Sequence, residues 1–413
     1  MEDKLLKDRH ILLGVTGGVA AYKAAALASR LTQAGAVVDV VMTEAATRFV
    51  APLTFESVTR RRAYSVMFEL TANTVPDARS GDLLIPHIAL ARGADLVVIA
   101  PATANTLAKL ACGIADNLLT AIVLAATAPL LIAPAMESHM WEHAATQANL
   151  AALTARGAAL VGPAYGYLAS GAAGVGRMSE PEEIVATARL LLARAGDMAG
   201  RRVVVSAGGT REAIDPVRFI GNRSSGKMGY ALAEAARDRG AQVVLVTAPT
   251  ALPDPFGIQV IHVESAAQMR DAVLAAIGGA EALVMAAAVA DYRPIEVQTQ
   301  KIKKTGEALN LQLTRTSDIL GEVAEMRTAG HGPRVVVGFA AETQDLLENA
   351  RAKLQRKRLD LIAANDVSAP DAGFGVDTNR VTLLSADGTL EALPLMSKNE
   401  VAHAVWERVV RLL

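Results

Sequence analysis

Two glycine pairs follow short β-branched runs and precede amphipathic helices, as expected where an α/β unit binds a nucleotide. The pair at residues 17–18 follows the run at residues 11–15, and the pair at residues 208–209 follows the run at residues 203–206. Glycines let the backbone approach a phosphate closely, and a helix N-terminus presents N–H groups to it. The first pair lacks the full GxGxxG fingerprint. The two openings together predict two fused α/β domains.

Strands and helices alternate along both halves of the sequence, which predicts two doubly wound, Rossmann-like parallel sheets with ligands at the carboxyl ends of the strands. Strands are predicted at residues 11–15, 36–42, 95–100, 129–133, 158–161, 202–206, 242–247, 259–263, 282–286, 334–339 and 359–363. Helices are predicted at residues 19–34, 180–195, 226–240, 266–277, 318–328, 345–357 and 398–412. Asp387-Gly388 between two short apolar runs predicts a hairpin.

Small and hydroxylic residues stand at the predicted carboxyl ends of the strands in the first half. They suit a flat cofactor with a phosphate, and these candidate cofactor-binding residues are Thr16, Gly17, Gly18, Thr43, Pro101, Ala102, Thr103 and Asn105. His87 precedes the strand at residues 95–100. We interpret it as a candidate general acid/base or anion-binding group, because imidazole titrates near neutral pH.

The second half carries a glycine-rich loop and two runs of lysines. GNRSSGK at residues 221–227 nearly spells a Walker A loop, but Met228 stands where a Ser or Thr would ligate Mg²⁺, so we reject a P-loop. Its backbone and Lys227 could still hold an anion. The lysine runs predict a triphosphate clamp, and their members are Lys301, Lys303, Lys304, Lys353 and Lys357. Asp291 is placed to meet a ribose hydroxyl or a metal.

Length and composition bound the class of protein. A chain of 413 residues exceeds one hydrophobic core, and the linker GDMAG at residues 196–200 divides it into predicted domains at residues 1–197 and 198–413. A net charge of -1 gives no reason to expect nucleic acid. One cysteine, Cys112, excludes an intramolecular disulfide. The uncharged residues 118–136 contain two prolines and predict a buried helix and strand rather than a membrane span. Because residues 1–10 are highly charged and unlike a secretion signal, we expect a cytoplasmic protein.

The first half resembles the flavin-dependent cysteine decarboxylases. The resemblance rests on HIALARGADLVVIAPATANTLAKLACGIADNLL from His87, on PAMESHMW at residues 134–141, and on GVGRM at residues 174–178. It is strongest to the decarboxylase half of the bifunctional phosphopantothenoylcysteine decarboxylase/phosphopantothenate–cysteine ligases. The resemblance implies an N-terminal flavoprotein fold with FMN at a subunit interface. It also implies oxidation of the substrate thiol to a thioaldehyde, loss of CO2 and return of the hydride, with His87 as the active-site histidine.

Two positions depart from the motifs of that family. Glu137 stands where an asparagine would contact the substrate carboxylate. Ser170 lies in a glycine-rich segment that would form a flap over the ligand, and it stands where a cysteine would protonate the intermediate. Three explanations are open: Glu137 serves as a variant acid with a pKa raised by burial, which we favour; the half is a flavin-binding remnant; or it acts on a different substrate. We interpret Cys112 as a small core residue, and the flap tyrosines Tyr165 and Tyr167 as covers of the ligand.

The second half resembles the ligase half of the same family through AGGTREAIDPVRFIGNRSSGKMG, AAAVADYRP, KIKK, VVGFAAET and ANDVS. The resemblance implies a nucleotide-binding ligase fold that uses CTP and Mg²⁺. The phosphopantothenate carboxylate would attack the α-phosphate to give an acyl-cytidylate, from which the amine of cysteine displaces CMP. By resemblance Asn222 contacts the acyl-cytidylate and Lys301 assists its formation. The implied CTP-site residues are Met285, Ala286, Ala287, Asp291, Lys301, Ser317, Asp318, Ile319, Leu320, Phe339, Lys353 and Lys357.

The sequence therefore predicts an enzyme for two steps of coenzyme A biosynthesis, from 4'-phosphopantothenate and cysteine to 4'-phosphopantetheine. One alternative is an active ligase fused to an inactive or altered flavin domain. Another is a flavin-fold binding protein that regulates a partner. The resemblance also implies a homo-oligomer, with trimers through the flavin half and dimers through the ligase half.

Overall fold

Strands and helices alternate along the chain as the hydrophobic pattern predicts. The computed structural model describes residues 5–67, 86–303, 309–342, 346–366, 373 and 375–413. The chain divides into two units, Met1–Leu192 and Ala193–Leu413. The boundary expected after residue 197 stays a prediction.

The strands described in the first unit are β1 His10–Val15, β2 Val37–Met42, β3 Ala63–Tyr64, β4 Leu96–Ala102, β5 Leu130–Pro134, β6 Ala159–Leu160, β7 Ala164–Tyr167 and β8 Ala173–Arg177. Its helices are α1 Ala21–Gln33, α2 Glu44–Thr47, α3 Pro52–Thr59, α4 Pro86–Gly93, α5 Ala104–Cys112, α6 Leu118–Ala125, α7 Ser138–Glu142, α8 Ala144–Ala155 and α9 Pro181–Ala193.

The sheet of the first unit has the strand order β3-β2-β1-β4-β5-β6, and its neighbouring strands pair in parallel. Apolar side chains of β1, β2, β4 and β5 are buried on both faces, which explains why these strands read as continuous hydrophobic runs. The uncharged segment at residues 118–136 forms α6 and β5, as predicted. Among the described residues, no helix has the length and apolarity needed to cross a membrane.

The strands described in the second unit are β9 Arg202–Ala207, β10 Arg211–Ala213, β11 Phe219–Gly221, β12 Gln242–Thr247, β13 Gln259–His262, β14 Ala282–Met285, β15 Tyr292–Pro294, β16 Leu313–Arg315, β17 Val335–Glu342, β18 Leu361–Asp366, β19 Thr378–Asn379, β20 Val381–Ser385, β21 Leu390–Ala392 and β22 Met396–Ser397. Its helices are α10 Lys227–Asp238, α11 Ala266–Ala276, α12 Ile319–Thr328, α13 Leu346–Arg356 and α14 Lys398–Leu412.

The second sheet repeats the order of the first and then extends it. Its order is β13-β12-β9-β14-β17-β18-β20-β21, with parallel pairs as far as β18 and antiparallel pairs beyond it. The predicted hairpin is present at Asp387-Gly388, where Gly388 has a φ of 87°. The doubly wound α/β fold of both halves is thus confirmed. Two antiparallel pairs, β10–β11 and β15–β16, stand beside the second sheet's parallel core.

Candidate active sites

A cavity of about 350 Å³ opens at the carboxyl edge of the first sheet. It lies where the strand order reverses between β1 and β4, which is the usual ligand crevice of a doubly wound sheet. Loops that follow β1, β4 and β5 line it together with the β7–β8 hairpin, which we call the flap (residues 164–177). The sequence-predicted residues among its lining are Gly17, Gly18, Thr103, Glu137 and Ser170.

Thr16 joins the two strands that flank this cavity. Its buried hydroxyl donates to the carbonyl oxygen of Pro101 at 2.7 Å and accepts the N–H of Thr103 at 3.1 Å. Because Pro101 belongs to β4 and Thr16 follows β1, these bonds hold the ends of the two strands together. Thr16 and Pro101, with the buried Ala102, therefore shape the cavity without lining it.

The N-terminus of α1 reaches the cavity through Val19 and Ala20. The N-cap residue of α1 is Ala20, whose side chain makes no capping hydrogen bond, while the N–H groups of Ala21 and Lys23 donate to the carbonyls of Gly18 and Ala20. A helix N-terminus of this kind offers backbone N–H groups and the positive end of the helix dipole to an anion. Gly17 permits the close approach of α2, because a Cβ there would stand 2.4 Å from the Cβ of Ala45. The arrangement fits the phosphate of a flat cofactor.

Lys23 lines the same cavity and was missed by the sequence analysis. Its ammonium group is 2.9 Å from Oε1 of Glu180 and donates to the carbonyl of Met178 at 3.4 Å, and Arg177 contacts the same Oε1 at 2.6 Å. The hydrogen bond from Lys23 lowers the pKa of Glu180 despite the opposing effect of burial. The sequence spacing could have revealed Lys23, because Lys23 lies at helical spacing on the same buried face of α1 as Leu27 and Leu31.

Besides Thr16, Pro101 and Ala102, three further predicted residues lie outside the lining of the cavity. Thr43 caps α2 by accepting the N–H of Ala46 at 3.3 Å, and Asn105 is exposed in the first turn of α5. His87 is the half-buried second residue of α4. Since α4 leads into β4, its N-terminus lies toward the carboxyl edge of the sheet. Even so, this single chain does not bring His87 into the cavity.

Glu137 is the N-cap of α7. Its Oε2 accepts the N–H of His139 at 2.7 Å, and its Oε1 lies 3.1 Å from Nδ1 of the same histidine. Burial raises the pKa of the Glu137 carboxyl, but the bonds from His139 and the N–H of Met140 lower it, and the resulting pKa is below the ordinary value. The expectation of a raised pKa is therefore wrong. Glu137 presents a carboxylate at neutral pH.

Ser170 lies in the loop of the flap, between β7 and β8, and lines the cavity. The flap is held to the loop after β5, because Met136 donates its N–H to the carbonyl of Gly176 at 2.9 Å. Gly176 is required for this approach, since a Cβ there would stand 2.2 Å from the carbonyl oxygen of Met136. The structure thus brings Glu137 and Ser170 to one cavity, as the motifs imply.

The other acids considered from the sequence differ in their placement. Tyr167 lines the cavity but is 83% exposed, and Tyr165 is 72% exposed. Cys112 is exposed at the end of α5, before the left-handed cap Gly113. The interpretation of Cys112 as a core residue is therefore wrong.

Asn222 lies where the strand order of the second sheet reverses between β9 and β14. Gly209, after β9, forms a parallel bridge with Ala288, after β14. The side-chain amide of Asn222 donates to the carbonyl of Ala288 at 3.2 Å and to that of Val289 at 3.3 Å. The predicted contact residue for the acyl-cytidylate thus stands at the ligand crevice of this sheet.

Apart from Lys301, the implied CTP-site residues belong to β14, β17, α12 and α13 and to the loops beside them. Lys353 donates to the carbonyl of Phe339 at 2.7 Å, and Lys357 forms a hydrogen-bonded ion pair with Asp318, the N-cap of α12. Burial raises the pKa of Asp318, whereas Lys357 and the N–H of Gly321 lower it, so that its pKa is below the ordinary value. Of the remaining members, Met285 ends β14, Ala286, Ala287 and Asp291 follow it, and Ser317, Ile319 and Leu320 lie at the start of α12.

Lys301 lies apart from that pair of lysines. It is exposed and lines a cavity of about 580 Å³ beside the β15–β16 pair, together with Lys303. Lys304 lies outside the described residues. The two lysine runs therefore contact different elements, and the single clamp expected from the sequence stays a prediction.

The lysine of the Walker-like loop, Lys227, is hydrogen-bonded within the protein. Lys227 donates to Oδ1 of Asp377 at 2.7 Å and to the carbonyl of Gly375 at 3.0 Å. The bond to Lys227 lowers the pKa of Asp377.

Asp291, the predicted partner of a ribose hydroxyl or a metal, is exposed. Among the described residues, no group of three or more His, Cys, Asp or Glu side chains could hold a metal ion.

Family models match both halves of the chain. The model described as flavoprotein covers residues 2–192, and the model described as the DNA/pantothenate metabolism flavoprotein C-terminal domain covers residues 198–413. The coenzyme A biosynthesis bifunctional protein CoaBC of Bacillus subtilis (strain 168) is 48% identical over 99% of this chain and 98% of its own length. The chain belongs to the CoaBC family. The family expected from the sequence is thereby confirmed.

A further relative agrees with this assignment. CoaBC of Mycobacterium tuberculosis (strain ATCC 25618 / H37Rv) is 48% identical over 100% of this chain and 99% of its own length. Among solved structures, the C-terminal domain of a CoaBC protein is 39% identical and covers 53% of this chain and 98% of its own, with a TM-score of 0.45. The FMN binding protein AtHal3 is 36% identical and covers 45% of this chain and 96% of its own, with a TM-score of 0.38.

The turn at Gly17 gives a prediction about stability. Gly17→Ala places a Cβ 2.4 Å from Ala45, whereas a Cβ at Gly18 meets only Cγ2 of Thr103 at 3.7 Å, which is ordinary contact. Because packing strain of this kind costs about 1–3 kcal/mol, Gly17→Ala is expected to lower the free energy of unfolding of the ligand-free protein by that amount. Gly18→Ala serves as the matched control and should have little effect. Equal denaturant midpoints for the two variants would contradict the prediction.

Proposed function

We propose that the chain catalyses two consecutive steps of coenzyme A biosynthesis. It first ligates 4'-phosphopantothenate with cysteine at the expense of CTP, and it then decarboxylates the product to 4'-phosphopantetheine. The observation that carries this proposal is the alignment of both halves, over 99% of this chain, with relatives named as bifunctional coenzyme A biosynthesis proteins. The two ligand crevices, one in each sheet, supply separate places for the two reactions.

The second unit is assigned the ligation. The carboxylate of 4'-phosphopantothenate attacks the α-phosphate of CTP, a C–O–P bond forms, and the bond to pyrophosphate breaks. The amine of cysteine then attacks the acyl carbon and displaces CMP, giving up a proton as the amide forms. Lys301 offsets the charge that develops at the phosphoryl group, while Lys353 and Lys357 exchange their present partners for the triphosphate. Asn222 orients the acyl-cytidylate at the crevice.

Mg²⁺ is proposed to arrive with CTP. Carboxylates gathered for a metal are absent from the described part of the chain. Mg²⁺ in enzymes of nucleoside triphosphates commonly keeps several waters and binds through the phosphates with one or two carboxylates. Asp291, which is exposed after β14, is the residue we propose as a protein ligand.

The first unit is assigned the decarboxylation, with FMN held at the cavity between β1 and β4. The uncapped N-terminus of α1 fits the phosphate of FMN, and Gly18, where a Cβ would meet only Cγ2 of Thr103 at 3.7 Å, leaves room for close approach. When bound, FMN supplies the two-electron oxidation and reduction that allow CO2 to leave. The flap, with Ser170 in its loop, borders the cavity and limits the access of water to the substrate.

Glu137 is proposed to accept and return a proton during decarboxylation. Its carboxylate lines the cavity with a pKa below the ordinary value, so at neutral pH it begins as a base. The proton of the substrate thiol can move to an Oε atom and be returned to the product. In this assignment Glu137 starts as a base and not as an acid with a raised pKa. It also supplies a proton that Ser170, in the place of the flap cysteine, would not supply.

A homo-oligomer in the cytoplasm completes the proposal. His87 stays outside the cavity of its own chain, as expected if it completes the flavin site of a neighbouring subunit. By the family resemblance we assign trimers to the flavin half and dimers to the ligase half.

Flavin binding and self-association are expected together. The purified protein should be yellow from bound FMN. Light scattering on the same chromatographic peak should give the mass of an oligomer, which is a whole-number multiple of 43.1 kDa and larger than one chain. His87→Ala is expected to weaken the retention of FMN without changing the fold, since His87 is only half-buried. A colourless protein that takes up no added FMN, or a yellow monomer, would contradict the proposed site at a subunit interface.

Lys301→Ala tests the ligation directly. Loss of the ammonium charge should lower the rate of pyrophosphate release from CTP and 4'-phosphopantothenate by about 100-fold, the size of a lost charge-stabilising donor. Lys301→Arg, which keeps a positive charge, should retain more activity than the alanine variant. Omission of Mg²⁺ should stop release in every variant. A parent protein that releases no pyrophosphate would instead favour the regulatory binding protein, and full activity in Lys301→Ala would refute the role of Lys301.

Glu137→Gln separates the models of the flavin half. A glutamine keeps the shape but cannot carry the proton, so CO2 release from phosphopantothenoylcysteine should fall by about 100-fold. In the parent, release should fall as the pH drops through the lowered pKa of Glu137, because the carboxylate is then protonated. Glu142→Gln, at the exposed end of α7, is the matched control. Faster release in Glu137→Gln would show that the carboxylate only repels the substrate.

A further inference from the structure

Asp215 is a buried carboxylate in the turn between β10 and β11. Its side chain is 0% exposed, and its Oδ1 accepts the N–H groups of Val217 and Arg218, each at 2.8 Å. Its Oδ2 accepts the N–H of Ile302 at 3.2 Å. Two of these bonds close a local turn, but the third spans the chain to the residue that follows Lys301. Asp215 therefore links two segments far apart in sequence.

The segment at residues 298–302 is held to this turn by further bonds. Arg218 donates to the carbonyl of Ile302 at 3.1 Å, and Gln298 donates its N–H to the carbonyl of Ile214 at 3.0 Å. Ile302 is thus bonded at both its N–H and its carbonyl oxygen. Lys301 and Lys303 stand exposed on either side of it and line the cavity beside β15–β16. The backbone is fixed while the two ammonium groups stay accessible.

The charges of this clamp, defined as Asp215 and Arg218 with the backbone of Ile302, are satisfied within the fold. Burial raises the pKa of Asp215, but the N–H groups of Val217, Ile302 and Arg218 and the nearby guanidinium lower it, so the carboxyl stays ionised. The guanidinium of Arg218 lies 3.8 Å from Oδ2. A buried carboxylate that satisfies three N–H groups specifies one geometry more tightly than an apolar residue of the same size could.

The same hairpin carries Asn222. β11 ends at Gly221, directly before Asn222, while Asp215 occupies the turn at the other end of the β10–β11 pair. The hairpin therefore holds Asn222 at the crevice between β9 and β14. Through the clamp, the same hairpin also holds the segment that carries Lys301. Two side chains that the ligation requires are positioned by one element.

We propose that Asp215 is a positioning residue for the ligation, which fixes the backbone beneath Lys301 so that its ammonium group meets the reacting phosphoryl group. This inference rests on the proposed role of the second unit. Asp215 itself contacts neither CTP nor the acyl-cytidylate. Its contribution acts through Lys301 and should disappear when Lys301 is absent.

The test uses Asp215→Asn in the full-length protein, because asparagine has nearly the same shape and keeps one acceptor oxygen. The rate constant for pyrophosphate release should fall by about 100-fold, the loss expected when a catalytic group is displaced by about 1 Å. The KM for CTP should stay unchanged, because Lys353 and Lys357 lie on other elements. In the Lys301→Ala background, Asp215→Asn should cause no further loss. Asp387→Asn, whose carboxylate accepts the N–H of Thr389 at 2.9 Å in a distant turn, is the matched control.

Hydrogen exchange of the backbone gives a readout that does not depend on activity. In Asp215→Asn, residues 298–303 should exchange faster than in the parent, while the strands of the second sheet keep their protection. Unchanged exchange in that segment, a raised KM for CTP, or additive losses in the double variant would overturn the proposal. A parent that releases no pyrophosphate would contradict the proposed function instead, and the exchange measurement would still decide whether Asp215 holds the segment.

Discussion

The structure depends on one topological constraint: each sheet reverses its strand order beside its first strand. Right-handed crossovers carry successive strands outward on one side and then on the other, so the loops after the first and fourth strands diverge and leave a crevice. In the first unit, the hydroxyl of Thr16 spans this point by bonding Pro101 and Thr103. In the second, the bridge between Gly209 and Ala288 does so, and Asn222 is bonded beside it. The same architecture therefore offers a place for a ligand twice.

The two crevices are completed by different additions. The flap borders the first, and a glycine at position 176 brings it within a hydrogen bond of Met136. The β10–β11 hairpin serves the second and reaches from Asn222 to the segment that carries Lys301. Each addition is a short antiparallel pair attached to a parallel core. Each proposed site therefore combines the edge of a parallel sheet with a short antiparallel hairpin.

Most of the parallel core could be predicted because its strands are apolar on both faces and some of its helices begin at recognisable caps, as α14 does at Ser397. The flap strands and the pairs β10–β11 and β15–β16 could not, because they are short and largely exposed and carry no hydrophobic period. The pKa of Glu137 was misjudged because burial was weighed without the two bonds from His139, although that histidine stands only two positions along the chain. The pairing of Lys357 with Asp318 joins distant residues and depends on the folded chain.

The central claim is that one chain performs both reactions, and the flavin half is where its sequence departs from the motifs of the family. The most direct measurement supplies synthetic phosphopantothenoylcysteine, without CTP, to the yellow parent protein and follows CO2 and 4'-phosphopantetheine. The account predicts that both products appear in equal amounts, with Glu137 and Ser170 in their present positions. No CO2 from a preparation that still releases pyrophosphate from CTP and 4'-phosphopantothenate would contradict it and leave an active ligase joined to an altered flavin domain.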